Sequence, residues 1–229
     1  MLTSRRNFLC YAASIPPTLL GAGLQRSLRA AAARANHCLI LNNSCALKES
    51  LDGYVAGLSA SGVAFEVAPL AAAKPTPVII VPGASLTDVN EARWLRAQVH
   101  AGARVLMESG GAFLPPTELQ RQRLILRSQF ELTLLDPVQL WETACYPRHI
   151  PYVDFTWPVR ARVRDFSRAI PLDARDATAI AQIDGKPVAF KRRLGTGTLV
   201  LLATPLGPHI LSGDREAHYW LQAFLSQSR

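Results

Sequence analysis

The residues with the most chemical capacity stand at the ends of apolar runs. Ala103-Arg-Val-Leu-Met107 leads directly into Glu108-Ser109-Gly110-Gly111, a carboxylate and a hydroxyl followed by two residues without side chains. Three further runs end in the same manner: 38–41 in Asn42-Asn43, 77–81 in Pro82-Gly83, and 198–203 in the stretch Thr204 to His209. If these runs are parallel strands, their carboxyl ends meet at one crevice, where open α/β sheets bind ligands. Asn43, Gly83, Glu108 and Gly110 are therefore candidate binding residues, with Ser109 and His209 beside them. The alternative for Glu108 is a solvated loop acid, and for Ser109-Gly110-Gly111 a tight turn that needs positive φ. A second cluster, Trp141, Tyr146, Tyr152, Phe155 and Trp157 with Arg148, His149 and Asp154, reads as the small core of an insert or as a sugar or peptide groove. No C-x-x-C, H-E-x-x-H or metal-spaced histidine pair occurs, so neither a metal nor a cofactor is expected.

The elements that must position these residues follow from periodicity. Residues 38–42, 64–70, 77–83 and 103–107 read as strands. Between them, Leu47, Leu51, Val55 and Leu58 recur at helical spacing before Gly62, and Ala92, Leu95 and Val99 do so over 89–101, behind Thr87 or Asp88 as cap. Strands that are apolar throughout and alternate with helices predict a parallel sheet covered on both faces. The second half differs. A helix is expected over 117–127, loops and an edge hairpin over the proline-rich 131–166, and a hairpin turning at Asp184-Gly185. A further turn at 195–197 leads to a final apolar strand over 198–203, and a helix over 215–226 closes the chain. Lys191-Arg192-Arg193 reads as a solvated hairpin face. The expected fold class is α/β: a parallel, doubly wound, flavodoxin-like sheet with a C-terminal β-hairpin extension.

The chain opens Met1-Leu-Thr-Ser-Arg-Arg-Asn-Phe-Leu. Arg5-Arg6 with Phe8-Leu9 resembles a twin-arginine export signal. The apolar stretch behind it is interrupted by Pro16 and Pro17 and is too short for a membrane span, which needs about 20 apolar residues. Small residues at 31–35 suit cleavage. The expected organisation is a signal peptide over 1–35 and one domain over 36–229, exported to the periplasm or beyond. The translocase is then a partner through Arg5 and Arg6, and no span remains after cleavage. Of the 25 basic residues, five arginines fall in 1–35, which holds no acid; residues 36–229 thus carry 20 basic and 17 acidic residues. A net charge of only +3 on the mature chain removes most of the case for a nucleic-acid partner. Cys38, Cys45 and Cys145 remain after cleavage, as three thiols or as a Cys38–Cys45 disulfide with Cys145 free.

Three phrases together resemble the class I glutamine amidotransferase-like domain: Val78-Ile-Ile-Val-Pro-Gly83, the helix and strand of 93–111 ending in a small-residue turn, and Asp184-Gly-Lys-Pro-Val188 followed by Arg193 to Leu202. In that family a cysteine nucleophile sits in a G-x-C-x-G elbow. The resemblance puts Ser109 at that position, so the cysteine is absent and glutaminase chemistry with it. What remains open is a ligand-binding or accessory module of the cell envelope, acting on an unknown small molecule or envelope protein. It competes with a hydrolase in which Ser109 attacks an amide or ester, His209 is the base, Asp214 orients it, and the Gly83 and Gly110 amides hold the oxyanion. A carbohydrate-active or carbohydrate-binding envelope protein is the third reading.

Overall fold

The computed structural model describes residues 37–42, 47–139, 151–164 and 168–227. The export signal, Asn43, Cys45 and Cys145, and the Trp141 to His149 part of the aromatic cluster lie outside the described residues. In chain order the first half is β1 (Cys38–Leu41), α1 (Lys48–Ser61), β2 (Phe65–Ala68), β3 (Val78–Ala84), α2 (Val89–His100), β4 (Arg104–Ser109) and α3 (Pro116–Phe130). The second half contributes β5 (Leu132–Leu134), β6 (Val138–Gln139), β7 (Tyr152–Phe155), β8 (Ala161–Arg164), β9 (Arg168–Ala169), β10 (Leu172–Ala174), β11 (Thr178–Ile183), β12 (Lys186–Leu194), β13 (Gly197–Leu202), α4 (Gly207–Leu211) and α5 (Arg215–Leu225).

One nine-stranded sheet organises the domain, in the order β2-β1-β3-β4-β13-β12-β11-β7-β8. The strands from β2 to β13 pair in parallel; those from β13 to β8 pair antiparallel. The parallel strands inside the edge strand β2 are largely apolar on both sides because each feeds two cores. Cys38, Ile40, Val78, Ile80, Leu106, Val200 and Leu202 face one layer, with Tyr54 and Leu58 of α1, Ile210 of α4, and Trp220 and Phe224 of α5. Their alternates Leu39, Leu41, Ile79, Val81, Val105, Met107, Leu199 and Leu201 face the other, with Leu95 and Val99 of α2 and Leu126 and Phe130 of α3. Period-two alternation on strands covered by helices on both faces produces this division.

The antiparallel part is larger than a hairpin extension. β11 and β12 turn at Asp184-Gly185, as the dipeptide predicts, but β7 and β8, from the proline-rich stretch, extend the sheet beyond them. At the outer strand β8, the Arg162 amide donates to a carboxylate oxygen of Glu216 on α5, 3.1 Å away, which caps part of the free edge.

Helix boundaries follow local chemistry. The Asp88 side chain accepts from the Asn90 amide at the start of α2, and that of Asp214 accepts from Glu216 and Ala217 at the start of α5. Gly62 ends α1 in the left-handed region, φ 67°. The buried face of α1 is not the expected leucine stripe, however. Ser50, Gly53, Tyr54, Gly57, Leu58 and Ser61 are buried, while Leu51 and Val55 are half-buried. The small residues permit close packing. A Cβ on Gly53 would lie 1.9 Å from the Gly207 carbonyl oxygen, and one on Gly57 would lie 2.8 Å from Ile210 and Leu221 side-chain atoms.

Cys38 is a free thiol, wholly buried in β1. Burial pushes its pKa up to about 12, against a smaller opposing pull from Arg104. The Cys38–Cys45 disulfide is therefore not formed. No described helix is long and apolar enough to cross a membrane.

Candidate functional site

The carboxyl ends of β3, β4 and β13 lie side by side, and Glu108 stands at their centre, fully buried. It is not a solvated loop acid. One carboxylate oxygen accepts from the Tyr54 hydroxyl at 2.8 Å and from the Leu206 and Gly207 amides at 2.9 Å each; the other accepts from the Ser50 hydroxyl. The carboxylate thus ties α1 and the start of α4 to β4. Burial raises its pKa, outweighing the four donors that pull the other way. Burial, and then the neighbouring carboxylate, raises Tyr54 well above the ordinary phenol value, so Tyr54 remains a neutral donor.

Ser109 follows on the other side of β4 and is 2 % exposed. Its hydroxyl donates to the Gln122 side-chain oxygen at 3.2 Å and accepts from the Gly111 amide at 3.1 Å. Gln122, itself buried on α3, donates to the Ala84 carbonyl at 2.8 Å. The positive φ expected of the turn is missing. Gly110 has φ −82°, and Ser109 is not among the positive-φ residues, so no strained elbow presents its hydroxyl. The Gly110 amide donates to the Ala84 carbonyl at 2.8 Å, which leaves it no free proton for an oxyanion. Gly111 is the tighter position, since a Cβ there would lie 2.6 Å from the Gln122 oxygen.

Left-handed backbone falls instead on the β3 side. Pairing advances from Val81–Met107 to Ala84–Ser109, so β3 holds one extra residue, a bulge at Pro82-Gly83. Gly83 has φ 49° and Leu86 φ 42°. A Cβ on Gly83 would stand 3.1 Å from Leu47 and 3.2 Å from Ser50, so glycine there lets β3 approach the start of α1.

His209 lies on α4, 8 % exposed, and Asp214 caps α5 rather than orienting the imidazole. His209 lines a cavity of about 300 Å³ with Leu47, Glu49, Phe113, Pro205, Pro208 and Ser212. This cavity lies among the segments that follow β4 and β13, and Ser109 is not in its wall. The structure thus divides the candidates into a buried bracket around Glu108, a separate Ser109–Gln122–Gly111 turn, and a cavity beside His209. Among the described residues no group of three or more His, Cys, Asp or Glu could hold a metal.

Sequence reasoning missed Ser50, Tyr54 and Gln122, the partners that decide what Glu108 and Ser109 do. The available signal was Ser50, Gly53, Tyr54 and Gly57, small and polar residues at one-turn spacing on a helix otherwise read from its leucines.

Neither a family model nor a curated protein matches the chain. Several solved structures share its fold. A β-galactosidase from Rahnella sp. R3 superposes with a TM-score of 0.61 at 14% identity, over 83% of this chain and 30% of that one. A β-galactosidase from Bacillus circulans sp. alkalophilus gives 0.58 at 14%, over 81% and 31%. A cytoplasmic protein from Salmonella typhimurium LT2 gives 0.57 at 12%, over 83% of this chain and 99% of its own. The chain spans about a third of the length of the β-galactosidases it matches and nearly all of the Salmonella protein. At these identities the likeness concerns the fold alone: a mixed α/β unit found both within larger chains and as a whole one.

Proposed function

We propose that this chain is an exported, amidotransferase-like α/β domain without glutaminase chemistry, working as a ligand-binding or accessory module of the cell envelope. The strand order β2-β1-β3-β4-β13 corresponds to the flavodoxin-like order 2-1-3-4-5 and supports the finer fold reading. The observation that carries the functional reading is the occupation of the chemical groups at the strand ends. Ser109 is buried against Gln122 and Gly111, Glu108 is held by four donors, and the Gly110 amide is bonded to Ala84. What stays open is a largely apolar cavity, and that is a property of binding sites.

The experiment has two arms. The purified protein is incubated with glutamine, and ammonia release stays at background; release lost on mutating a cysteine overturns the reading. In cells, lysine at both Arg5 and Arg6 leaves the precursor unexported; normal export of the double variant removes the envelope assignment.

A carbohydrate-linked role is the second reading. Its support is the presence of β-galactosidases and an exo-β-1,4-mannosidase among structures of the same fold. Titration with galactose and mannose tests it.

A further inference from the structure

Resting on the ligand-binding reading, we propose that the cavity beside α4 takes a small organic cation with an apolar body, an alkyl- or arylalkylammonium, in preference to an anion or a polyol. Its volume of about 300 Å³ falls at the lower end of small-molecule sites. Leu47, Phe113, Pro205 and Pro208 make most of its wall, so a polyol would bury hydroxyls against carbon without partners, at a cost for each. Phe113 lines the cavity and is 44 % exposed, so its ring is accessible to a cation.

Glu49 and Ser212 supply acceptors to the wall, and the His209 imidazole can donate as well as accept. Glu49 is the one Asp, Glu, Lys or Arg in the lining. The Ser212 hydroxyl gives its proton to the His209 carbonyl at 2.9 Å, so it has lone pairs left for a ligand. An ammonium group has donors only and complements both. The amino end of α1 opposes with a partial positive charge, but Glu49 stands in its first turn and offsets it. The cavity therefore disfavours carboxylates and phosphates.

The test titrates the full chain with phenethylammonium, 3-phenylpropionate and galactose, followed by protein-observed NMR at cavity residues. Phenethylammonium is expected to bind at least about tenfold more tightly than phenylpropionate, a difference of about 1.4 kcal/mol. Glu49→Gln should bring the two close to equal with the folded spectrum retained, and Phe113→Ala should weaken both. Equal or tighter binding of phenylpropionate, binding of galactose alone, or a preference unchanged in Glu49→Gln overturns the cation assignment and leaves a binding site standing. If none of the three perturbs the cavity, the ligand-binding reading falls, and this inference with it.

Discussion

Glu108 accepts a 2.8 Å hydrogen bond from Tyr54, joining the end of β4 to the middle of α1 in a fully buried setting. Removing the carboxylate leaves four donors facing an apolar gap, whereas removing one donor leaves three in place. Buried donors left unsatisfied cost about 1–3 kcal/mol each. Glu108→Ala should therefore destabilise by several kcal/mol or prevent folding, and Tyr54→Phe by about 1–3 kcal/mol. Glu108→Gln should be the mildest change at this position, because its oxygen can keep the Tyr54, Leu206 and Gly207 bonds while Ser50 reverses to accept from the amide nitrogen. Chemical denaturation of the three variants gives the ranking; Glu108→Ala as stable as the wild type would remove the bracket from the account.

The same group sets a pH dependence. The folded pKa of Glu108 lies above its ordinary value of 4.5, so between the two values the native state holds the proton more tightly than the unfolded chain. Stability then falls as pH rises through that window, in contrast to the usual salt-bridged acid. Measured against Glu108→Gln, which cannot ionise, the wild type should lose ground as pH climbs from about 4.5 and reach a plateau above the folded value. Urea midpoints for both proteins across that range supply the comparison, and a wild type that gains ground shows the four donors outweighing burial.

Gly53 and Gly207 bring α1 and α4 into backbone contact. With 1.9 Å between a Cβ at 53 and the Gly207 oxygen, even alanine must push α4 outward. Gly53→Ala should cost about 1–3 kcal/mol, in the range of overpacked cores. It should also alter the cavity, since His209 and Pro208 ride on α4. Ala56→Ser on the same helix, where the residue is exposed, is the control and should change stability by less than about 0.5 kcal/mol.

These relations show what the sequence could reveal. The inner parallel strands and α2 were legible because each apolar residue reports its own burial: Ala92, Leu95 and Val99 are the inner face of α2, and Ile79 and Ile80 fill opposite layers. Asp184-Gly185 was legible because a turn is local chemistry. The inner face of α1 was not, since Gly53 and Gly57 are buried through what they permit rather than through their own apolar area. Glu108 was recognisable as a strand-end acid, but its fate depended on Tyr54, Leu206 and Gly207, distant in sequence and joined only by the fold. The helix α4 was too short to show a period.

The turn after β4 gives the sharpest contrast with the amidotransferase elbow. A nucleophile needs an exposed oxygen and a free amide beside it, whereas Ser109 is closed in by Gln122 and the Gly110 amide is spent on Ala84. A fluorophosphonate probe should leave Ser109 unlabelled in the folded protein. Ser109→Ala should cost about 1 kcal/mol, through the lost bonds to Gly111 and Gln122. The two glycines should separate. Gly110, at φ −82°, carries no backbone requirement for glycine, so the positive-φ penalty expected there is absent. Alanine at 111 would drive the Gln122 oxygen out of a 2.6 Å overlap and disturb its bonds to Ser109 and Ala84, with an expected loss of about 1–3 kcal/mol. Labelling of Ser109 that disappears in His209→Ala would show the turn opening onto the cavity in solution, and the hydrolase reading would then replace the binding module.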